Sequence, residues 1–335
     1  MRKLQDLPPD WARFCLGIQS FMEKMLGESI QGKKFVAAFS GGPDSLALLR
    51  ILDFIRTRTG IIVYAVHLNH MLRPEADADE RFAKKICMEL DIPLKCGRSR
   101  VESFARVRNT GLENAGRTIR YRFIRALASA EKADYILTGH QLNDLAEDML
   151  MRLCRGTGWP GLSGMTGYDP LRRLVRPLLL TPRKTVLDFL DNIGQEYVLD
   201  ASNEDRSFLR NKIRMDLIPV LEEISPGFLK SVSGLWKLGG VDREHWQGVL
   251  GDVLAGLEDD RYIPGRTLDQ LSRAARLRLY KIMLDRLGPG QALLEVLLEL
   301  DELWIKGRGS REVWFPGDKF ARIVKKGVLF GTRDS

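Results

Sequence analysis

The chain has 335 residues and a formal net charge of +8, with 44% hydrophobic and 29% charged residues, a composition typical of soluble globular proteins and long enough for two or three domains. Residues 1–30 contain no long apolar run, and the four scattered cysteines form no CxxC pair, which argues against a signal peptide, a membrane span and a disulfide scaffold. We therefore expect a cytoplasmic protein, and its positive charge favours a polyanionic partner.

The first strand–loop–helix unit lies between Lys33 and Arg50. An unbroken apolar run from Phe35 to Phe39 predicts a buried parallel strand, and the helical spacing of apolar residues from Leu46 onward predicts a packed helix. The intervening string SGGPDS has glycines that permit close backbone approach and a proline suited to a helix start. Backbone N–H groups and the helix dipole make such a loop an anion site, although two glycines alone also suit a plain tight turn.

Further strands and helices alternate along the chain. Strands are predicted at residues 61–72, 93–99 and 133–140, and helices at residues 75–92, 112–132 and 142–156. This alternation predicts the α/β class with a doubly wound parallel sheet, in which ligands bind beyond the carboxyl ends of the strands. The strings SGGPDS, HLNHMLR and TGHQLND each lie at the carboxyl end of a predicted strand, so we expect them to form a single active site.

The second half of the chain is organised differently. A glycine-rich stretch, Gly156–Asp169, is either a mobile lid or a simple connection. A leucine-rich helical region follows the helix breaker at residues 225–227, and residues 311–332 alternate like two small strands around a turn. We predict a first domain at residues 1–217, with a helical lead-in at 1–30, and a smaller, mainly helical domain at 218–335.

The string SGGPDS, in its strand–loop–helix setting, resembles the PP-loop signature of enzymes that cleave ATP to AMP and pyrophosphate. Further strings narrow the resemblance to the tRNA(Ile)-lysidine synthetase family, in a short form without an additional C-terminal domain. They are HLNHMLR (67–73), LENAGRTIRY (112–121), RLCRGTGWPGLSGM (152–165), RPLL (176–179) and DASNEDRSFLRNKIRMDLIP (200–219). The resemblance implies a Rossmann-like first domain that binds ATP and a second domain that binds tRNA.

The resemblance also implies a reaction. ATP adenylates the wobble cytidine of tRNA(Ile) with a CAU anticodon on its ring carbonyl oxygen, and the amine of L-lysine then displaces AMP to form lysidine. The implied cofactors are ATP, as co-substrate, and Mg²⁺. A homodimer is compatible with the resemblance, and no membrane partner is expected.

The family motifs transfer roles to individual positions. The expected ATP-binding residues are Ser40, Gly41, Gly42, Pro43, Asp44 and Ser45. The expected catalytic residues are Arg117, His140 and Asp144, with Asp44 and Asp144 as Mg²⁺ ligands. The expected substrate-binding residues are Asn69, Arg73, Arg210 and Asn211, while His67 and His70 are interpreted as structural.

Each role has an alternative that the residue types leave open. The Asp44 carboxylate suits Mg²⁺ but also suits the positive end of a helix. His140 and Asp144 are four residues apart, so a helical start would place them on one face, to hold the ion, to accept a proton or to cap the helix. Arg117 either offsets charge on the transferred group or pairs with Glu113. Arg210, Asn211 and Arg214 either contact the tRNA backbone or pack at the domain junction.

The chain departs from the family at one string. The family form is HHxDDQAET, whereas this chain has HQLNDLAED at residues 140–148. Gln141 stands where the family has a second histidine, and Asn143 stands where it has a first aspartate. Because His140, Asp144 and Glu147 match, activity is still expected, with an altered environment for the metal.

Three rival functions are compatible with parts of the sequence. A tRNA thiolase of the same superfamily that uses an iron–sulfur cluster or a reactive cysteine pair needs suitably placed thiols, and no CxxC is present. An amidotransferase-type ligase needs a glutaminase domain or partner, and no nucleophile motif for one is visible. A tRNA-binding protein with a decayed active site is supported only by the altered HQLND string.

Overall fold

The computed structural model describes residues 3–69, 71, 76–108, 111–198, 209–307 and 310–333. Contacts between residues divide the chain into two units. Unit 1 comprises Met1–Asp148 and Met165–Ser233, and unit 2 comprises Met149–Gly164 and Gly234–Ser335. The domain boundary predicted between residues 217 and 218 stays a prediction.

Helices and strands alternate through the first 200 residues, as the sequence predicts. In chain order the elements are α1 (Pro9–Leu26), β1 (Lys34–Ala38), α2 (Pro43–Thr59), β2 (Ile62–Asn69), α3 (Ala76–Glu89), β3 (Leu94–Arg98), α4 (Val101–Arg108), α5 (Leu112–Ala130), β4 (Tyr135–Leu137), α6 (Leu142–Cys154), β5 (Tyr168–Asp169), β6 (Leu174–Val175) and α7 (Arg183–Asn192). The short helix α4 was not predicted.

The strands of unit 1 form a sheet of six strands in the order β3-β2-β1-β4-β6-β5, parallel except for the edge strand β5. The order reverses between β1 and β4, since the chain first builds outward to β3 and then returns to the other side of β1. In open α/β sheets ligands bind at such a reversal, beyond the carboxyl ends of the strands. The predicted α/β fold with a doubly wound parallel sheet is confirmed.

Helices cover both faces of this sheet. Phe35 and Ala37 of β1 are buried in one apolar cluster together with residues of α1, α2, α3 and α7. Val36, which points to the opposite face, is buried with Ile124 and Ala128 of α5. Burial on both faces explains why β1 reads as a continuous apolar run rather than an alternating one.

The remaining elements begin with a helical segment made of α8 (Leu209–Lys212), a π-helical turn (Ile213–Leu217) and α9 (Ile218–Ile224). They continue with α10 (Phe228–Ala255), β7 (Tyr262–Pro264), α11 (Gly265–Gln270), α12 (Arg273–Arg286), α13 (Leu294–Ile305), β8 (Glu312–Phe315), β9 (Lys319–Val324) and β10 (Gly327–Thr332).

Unit 2 contains a small antiparallel sheet as well as helices. Its strand order is β7-β10-β9-β8, and one face packs on an apolar core that includes Tyr280 of α12 and Phe330 of β10. The prediction of two small strands in the tail was wrong, because residues 312–332 form three strands and a fourth is recruited from residues 262–264. The predicted helical character of the region is confirmed.

The glycine-rich stretch belongs to unit 2 up to Gly164. Arg243 of α10 donates a hydrogen bond to the Ser163 hydroxyl at 2.5 Å, and Arg152 donates to the carbonyl of Gly161 at 3.0 Å. These contacts tie the stretch to unit 2. Across the part of the chain that the structure describes, no helix is both long and apolar enough to traverse a lipid bilayer.

Candidate active site

The loop after β1 is held by its own serines. The backbone N–H of Ser40 donates to the Ser45 hydroxyl at 3.2 Å, and that hydroxyl donates to the carbonyl of Gly42 at 3.0 Å. Gly41 has a φ of +91°, a conformation that favours glycine, and Pro43 occupies the first position of α2. The loop therefore closes over the start of α2, where backbone N–H groups and the helix dipole attract phosphate.

The chain that follows β4 contacts this loop. Gly139, two residues after the end of β4, lies so close to it that a β-carbon there would be 2.9 Å from the backbone of Asp44 and of Ser45. Real β-carbons essentially never come closer than 3.0 Å to other heavy atoms, so a glycine is required. The two strings predicted to share one site are thus in direct contact at the reversal of strand order.

The carboxylate of Asp44 is half-buried. Its Oδ2 lies 3.4 Å from Nη1 of Arg183, whereas its Oδ1 is buried and has no hydrogen-bond partner among the described residues. Burial and the negative charge of Asp144 raise the pKa of Asp44 to about 6, against the opposing effect of Arg183. A buried carboxylate oxygen without a partner is suited to bind a cation.

Two carboxylates of α6 are paired with two arginines of the segment 209–217. Nε of Arg210 donates to Glu147 at 2.6 Å, and its Nη2 donates to Asp144 at 2.9 Å. Arg214, in the π-helical turn, donates to Glu147 at 2.6 Å through Nε and to Asp144 at 3.3 Å through Nη2. Glu147 is completely buried, and the carboxylates raise the pKa of both arginines against their burial. We call these four residues the ion cluster.

His140 lies before α6 and not on it. The helix begins at Leu142, so the expectation that His140 and Asp144 share a helical face was wrong, while Asp144 and Glu147 do lie on successive turns. Nδ1 of His140 is 2.9 Å from the Thr138 hydroxyl. Burial, followed by the charges of Arg176 and Arg210, holds the pKa of His140 well below its usual value. The imidazole is therefore neutral at pH 7.

The two departures from the family form have local structural roles. The side chain of Gln141 accepts a hydrogen bond from the Asn143 N–H at 2.6 Å, while the Gln141 N–H donates to Asp144 at 3.0 Å. Oδ1 of Asn143 accepts from the backbone N–H of Arg183 at 3.1 Å, at the start of α7. Both side chains thus satisfy N–H groups that helix starts leave unpaired.

Asn69 is buried within a hydrogen-bond network after β2. Its Nδ2 donates to Asp77 at 3.0 Å and to Glu80 at 3.2 Å, and its Oδ1 accepts from the Met71 N–H at 2.9 Å. These bonds link the end of β2 to α3. Its expected role in binding substrate stays a prediction, and Arg73 lies outside the described residues.

The other predicted residues fall on two helices. Arg117 of α5 is exposed, with its guanidinium carbon 5.1 Å from the centroid of the Tyr121 ring. Its charge contributes to the lowered pKa of His140, which places it within electrostatic reach of that imidazole. The Glu113 side chain, its alternative partner, lies outside the described set. Asn211 of α8 is buried beside Arg210 in sequence.

Sequence reasoning missed two arginines. Arg183, at the start of α7, faces Asp44, and Arg176, after β6, is buried and contributes to the lowered pKa of His140. The dipeptide Pro182–Arg183 signals a helix start, but no spacing rule connects it to a residue 139 positions earlier. Arg176 is the first residue of the string RPLL, which supports the family resemblance but predicts no role for the arginine.

Comparison with known proteins identifies the family of this chain. Residues 16–221 match the PP-loop domain family. The chain is 42% identical over 325 residues to the tRNA(Ile)-lysidine synthase of Nitratidesulfovibrio vulgaris, covering 91% of this chain and 93% of that protein. The chain belongs to the tRNA(Ile)-lysidine synthase family. The resemblance read from the sequence motifs is therefore confirmed.

Other tRNA(Ile)-lysidine synthase relatives are longer. The synthases of Clostridium acetobutylicum and Geobacter sulfurreducens are 36% and 40% identical, over 64% and 58% of this chain. The matched regions make up 47% and 42% of those proteins. Among solved structures, the U34-tRNA thiolase NcsA from Methanococcus maripaludis aligns with a TM-score of 0.56 at 20% identity, over 68% of this chain and 80% of that one. At that identity the likeness shows the fold alone.

Proposed function

We propose that this chain ligates L-lysine to the wobble cytidine of tRNA(Ile) with a CAU anticodon, at the expense of ATP. As a member of the tRNA(Ile)-lysidine synthase family it is an ATP-dependent carbon–nitrogen ligase. One observation carries the assignment of the site: the phosphate-binding loop and the string at residues 139–147 meet at the reversal of strand order, with Gly139 against Asp44. The site therefore combines a phosphate cradle with buried carboxylates, guanidiniums and a neutral imidazole.

In the first step, the ring carbonyl oxygen of the cytidine attacks the α-phosphorus of ATP, and pyrophosphate leaves with the electrons of the broken P–O bond. The loop Ser40–Ser45 would bind the phosphates through its backbone N–H groups. Arg117 would offset negative charge on the transferring group, since a guanidinium binds phosphate oxygens in a bidentate manner. Arg183, opposite Asp44, is a second cation at this end of the site.

The donors present fit Mg²⁺ at Asp44. Among the described residues no group of three or more His, Cys, Asp or Glu is arranged to hold a metal, but Mg²⁺ is commonly bound by one or two carboxylates together with substrate phosphates. Asp44 has an open buried oxygen, whereas Asp144 accepts hydrogen bonds from Arg210 and from the Gln141 N–H. Asp44 is therefore the main ligand in this proposal, and bound Mg²⁺ would offset the charge on pyrophosphate.

In the second step, the ε-amine of lysine attacks the activated ring carbon, and AMP leaves with the oxygen. The ammonium of lysine must first lose a proton to become a nucleophile. We assign His140 to accept that proton: burial and the surrounding arginines lower its pKa, so the imidazole is neutral at pH 7 and, as a weak base, would pass the proton on. The ion cluster presents both carboxylates and guanidiniums, which are complementary to the two ends of an amino acid. We assign Arg210 to substrate binding on this ground, and Asn211 with it.

A sulfur-transfer function finds no support in the thiols. All four cysteines of the chain lie among the described residues. Burial raises the pKa of Cys15 and of Cys87 to about 12, and it also raises the pKa of Cys96, so these thiols are poor nucleophiles. Cys154 is exposed at the end of α6.

The direct test is incorporation of labelled lysine into tRNA(Ile) with a CAU anticodon. We expect ATP-dependent incorporation, release of AMP and pyrophosphate, and no product with a tRNA whose wobble cytidine is replaced by uridine. A folded protein that binds ATP but incorporates no lysine would refute the proposed ligation. Replacing lysine by a sulfur donor in the same assay tests the thiolase alternative. A cytoplasmic location and a homodimer stay predictions.

A further inference from the structure

The outer face of the small sheet in unit 2 carries aromatic side chains. Along β8, Val313 and Phe315 point into the core, so the alternate residue Trp314 points outward, where 49% of its surface is exposed. Trp314 is paired with Phe320 of β9, and the two ring centroids are 5.7 Å apart. The open face of an antiparallel sheet is ordinarily polar, so an exposed indole there is unusual and indicates an interaction site.

Two arginines lie over these rings. The guanidinium carbon of Arg322 is 5.1 Å from the centroid of the Phe320 ring, and that of Arg333 is 5.9 Å from the centroid of Trp314. Both arginines are exposed. The four side chains form one continuous row, in the order Arg333, Trp314, Phe320, Arg322, which we call the aromatic–arginine row.

The surroundings of the row are basic. Between residues 311 and 333 the exposed cationic residues are Arg311, Arg322, Lys325, Lys326 and Arg333. The acidic residues of the same segment are Glu312 and Asp318, and Glu312 lies 2.7 Å from Nη2 of Arg322. An exposed indole, Trp314, backed by the buried Phe320 and accompanied by an excess of positive charge, is complementary to a ligand that combines a flat ring with negative charge.

We propose that the aromatic–arginine row binds an unpaired nucleotide of the tRNA substrate, other than the cytidine that reacts. The base would stack on the exposed indole of Trp314, and Arg322 and Arg333 would contact the adjoining phosphates. Single-stranded nucleic acids are bound in this way, by stacking on aromatic side chains within a basic surface. The inference rests on the proposed function for the identity of the RNA.

A protein partner fits the row less well. An interface between proteins is depleted of charge at its centre, whereas an arginine lies within 6 Å of each ring of this row. The edge position of β8 offers unpaired backbone groups to a second copy of the chain, which is the competing occupant. A second copy of the chain would make the oligomeric state depend on protein concentration, whereas a bound nucleotide would make RNA affinity depend on the row.

The test compares tRNA affinity for the wild-type chain, Trp314→Ala and Trp314→Phe. Loss of one stacked base should weaken binding roughly tenfold in Trp314→Ala, and Trp314→Phe should retain most of the affinity. Arg322→Ala and Arg333→Ala should each weaken binding and reduce the slope of log affinity against log salt by about one. Lys281→Ala, which removes an exposed paired cation from α12, is the matched control for charge.

A spectroscopic measurement keeps the test independent of folding defects. Titration with tRNA should quench indole fluorescence in the wild-type chain, and part of that quenching should be absent in Trp314→Phe, which retains an aromatic ring. Unchanged tRNA affinity in Trp314→Ala together with unchanged quenching in Trp314→Phe overturns the proposal. Unchanged affinity with a shift in oligomeric state assigns the row to a second copy and also overturns it.

Failure of the proposed function is recognised separately. A wild-type chain that binds tRNA but incorporates no lysine would refute the ligase reaction, while the difference between Trp314→Ala and wild type would still decide whether the row binds RNA. Conversely, the wild-type chain could have full ligase activity while Trp314→Ala has an unchanged KM for tRNA. That result would refute only the proposal that the row binds RNA.

Discussion

Gly139 packs so closely on Asp44 that a β-carbon at residue 139 would lie 2.9 Å from both the carbonyl carbon and the carbonyl oxygen of Asp44. Gly139→Ala must therefore push the loop Ser40–Ser45 away from the end of β4. Overpacking of this kind costs about 1–3 kcal/mol of stability. We expect the variant to fold with reduced stability and to lose most of its ATP affinity, measured by urea denaturation and by equilibrium binding of ATP.

The matched control is Gly248→Ala, because a β-carbon on Gly248 in α10 would meet no atom within 4 Å. Alanine should there be neutral or slightly stabilising, as it is in exposed helix positions. ATP binding of wild-type strength by Gly139→Ala would show that the close approach does not position the loop.

Asp44→Asn separates activity from stability. The raised pKa of Asp44, about 6, means that its ionised form is destabilised by burial and by the charge of Asp144. We expect the uncharged asparagine to abolish formation of adenylated tRNA while leaving the nucleotide-free protein at pH 8 at least as stable as wild type. The measurements are release of pyrophosphate in the presence of tRNA and urea denaturation without divalent cations. Full adenylation activity would remove Asp44 from the proposed metal site.

Much of this site could be predicted because its information is local. The apolar run of β1 and the string SGGPDS lie within twelve consecutive residues, and burial on both faces of the sheet explains why that run does not alternate. By contrast, Arg183 reaches Asp44 across 139 residues, and Arg210 reaches Glu147 across 63. Such contacts are set by the crossover of the chain through the sheet, which spacing rules do not encode.

The wrong placement of His140 on a helical face and the wrong number of tail strands have local causes. The start of α6 at Leu142 follows from the bond between the Gln141 N–H and Asp144, which fixes the helix boundary after His140. The extra strand in the tail was hidden because the hairpin between β9 and β10 turns at Lys325 and Lys326, residues that are poor turn signals compared with the earlier Pro-Gly-Asp.

His67 should make stability depend on pH. It is buried, and its Nδ1 donates to the Phe39 carbonyl at 3.0 Å. Burial lowers the pKa of His67, against the opposing effects of Glu80 and Asp79. Because the folded state then binds a proton less readily than the unfolded state, stability contributed by the neutral imidazole is complete above about pH 6.5 and is lost as pH falls, by up to about 1.4 kcal/mol per pH unit.

We therefore expect His67→Gln to lower stability at pH 7.5 but to flatten its decline between pH 7 and pH 5, relative to wild type. The comparison uses urea denaturation at several pH values. His245→Gln, which removes an exposed histidine from α10, is the control for the loss of an imidazole. A decline in His67→Gln as steep as in wild type would assign the pH dependence to other groups, among which His140 has the same direction of pKa shift.

The ion cluster should be more sensitive than any surface ion pair. Glu147 is completely buried and accepts from Arg210 and Arg214, each at 2.6 Å, so Glu147→Gln removes a charged partner from two part-buried guanidiniums. Breaking a buried pair by removing one partner costs about 3–5 kcal/mol. We expect urea denaturation to show a loss of that order and lysine incorporation to fall sharply.

Asp188→Asn is the matched control, because Asp188 pairs with Lys184 on the exposed side of α7 at 2.7 Å. An exposed pair contributes less than about 1 kcal/mol. Glu147→Asp adds a second comparison, since it keeps the charge but shortens the reach to the arginines. Equal losses in Glu147→Gln and Asp188→Asn would mean that solvent screens the cluster, and its carboxylates and guanidiniums would then lack the strength that lysine recognition requires.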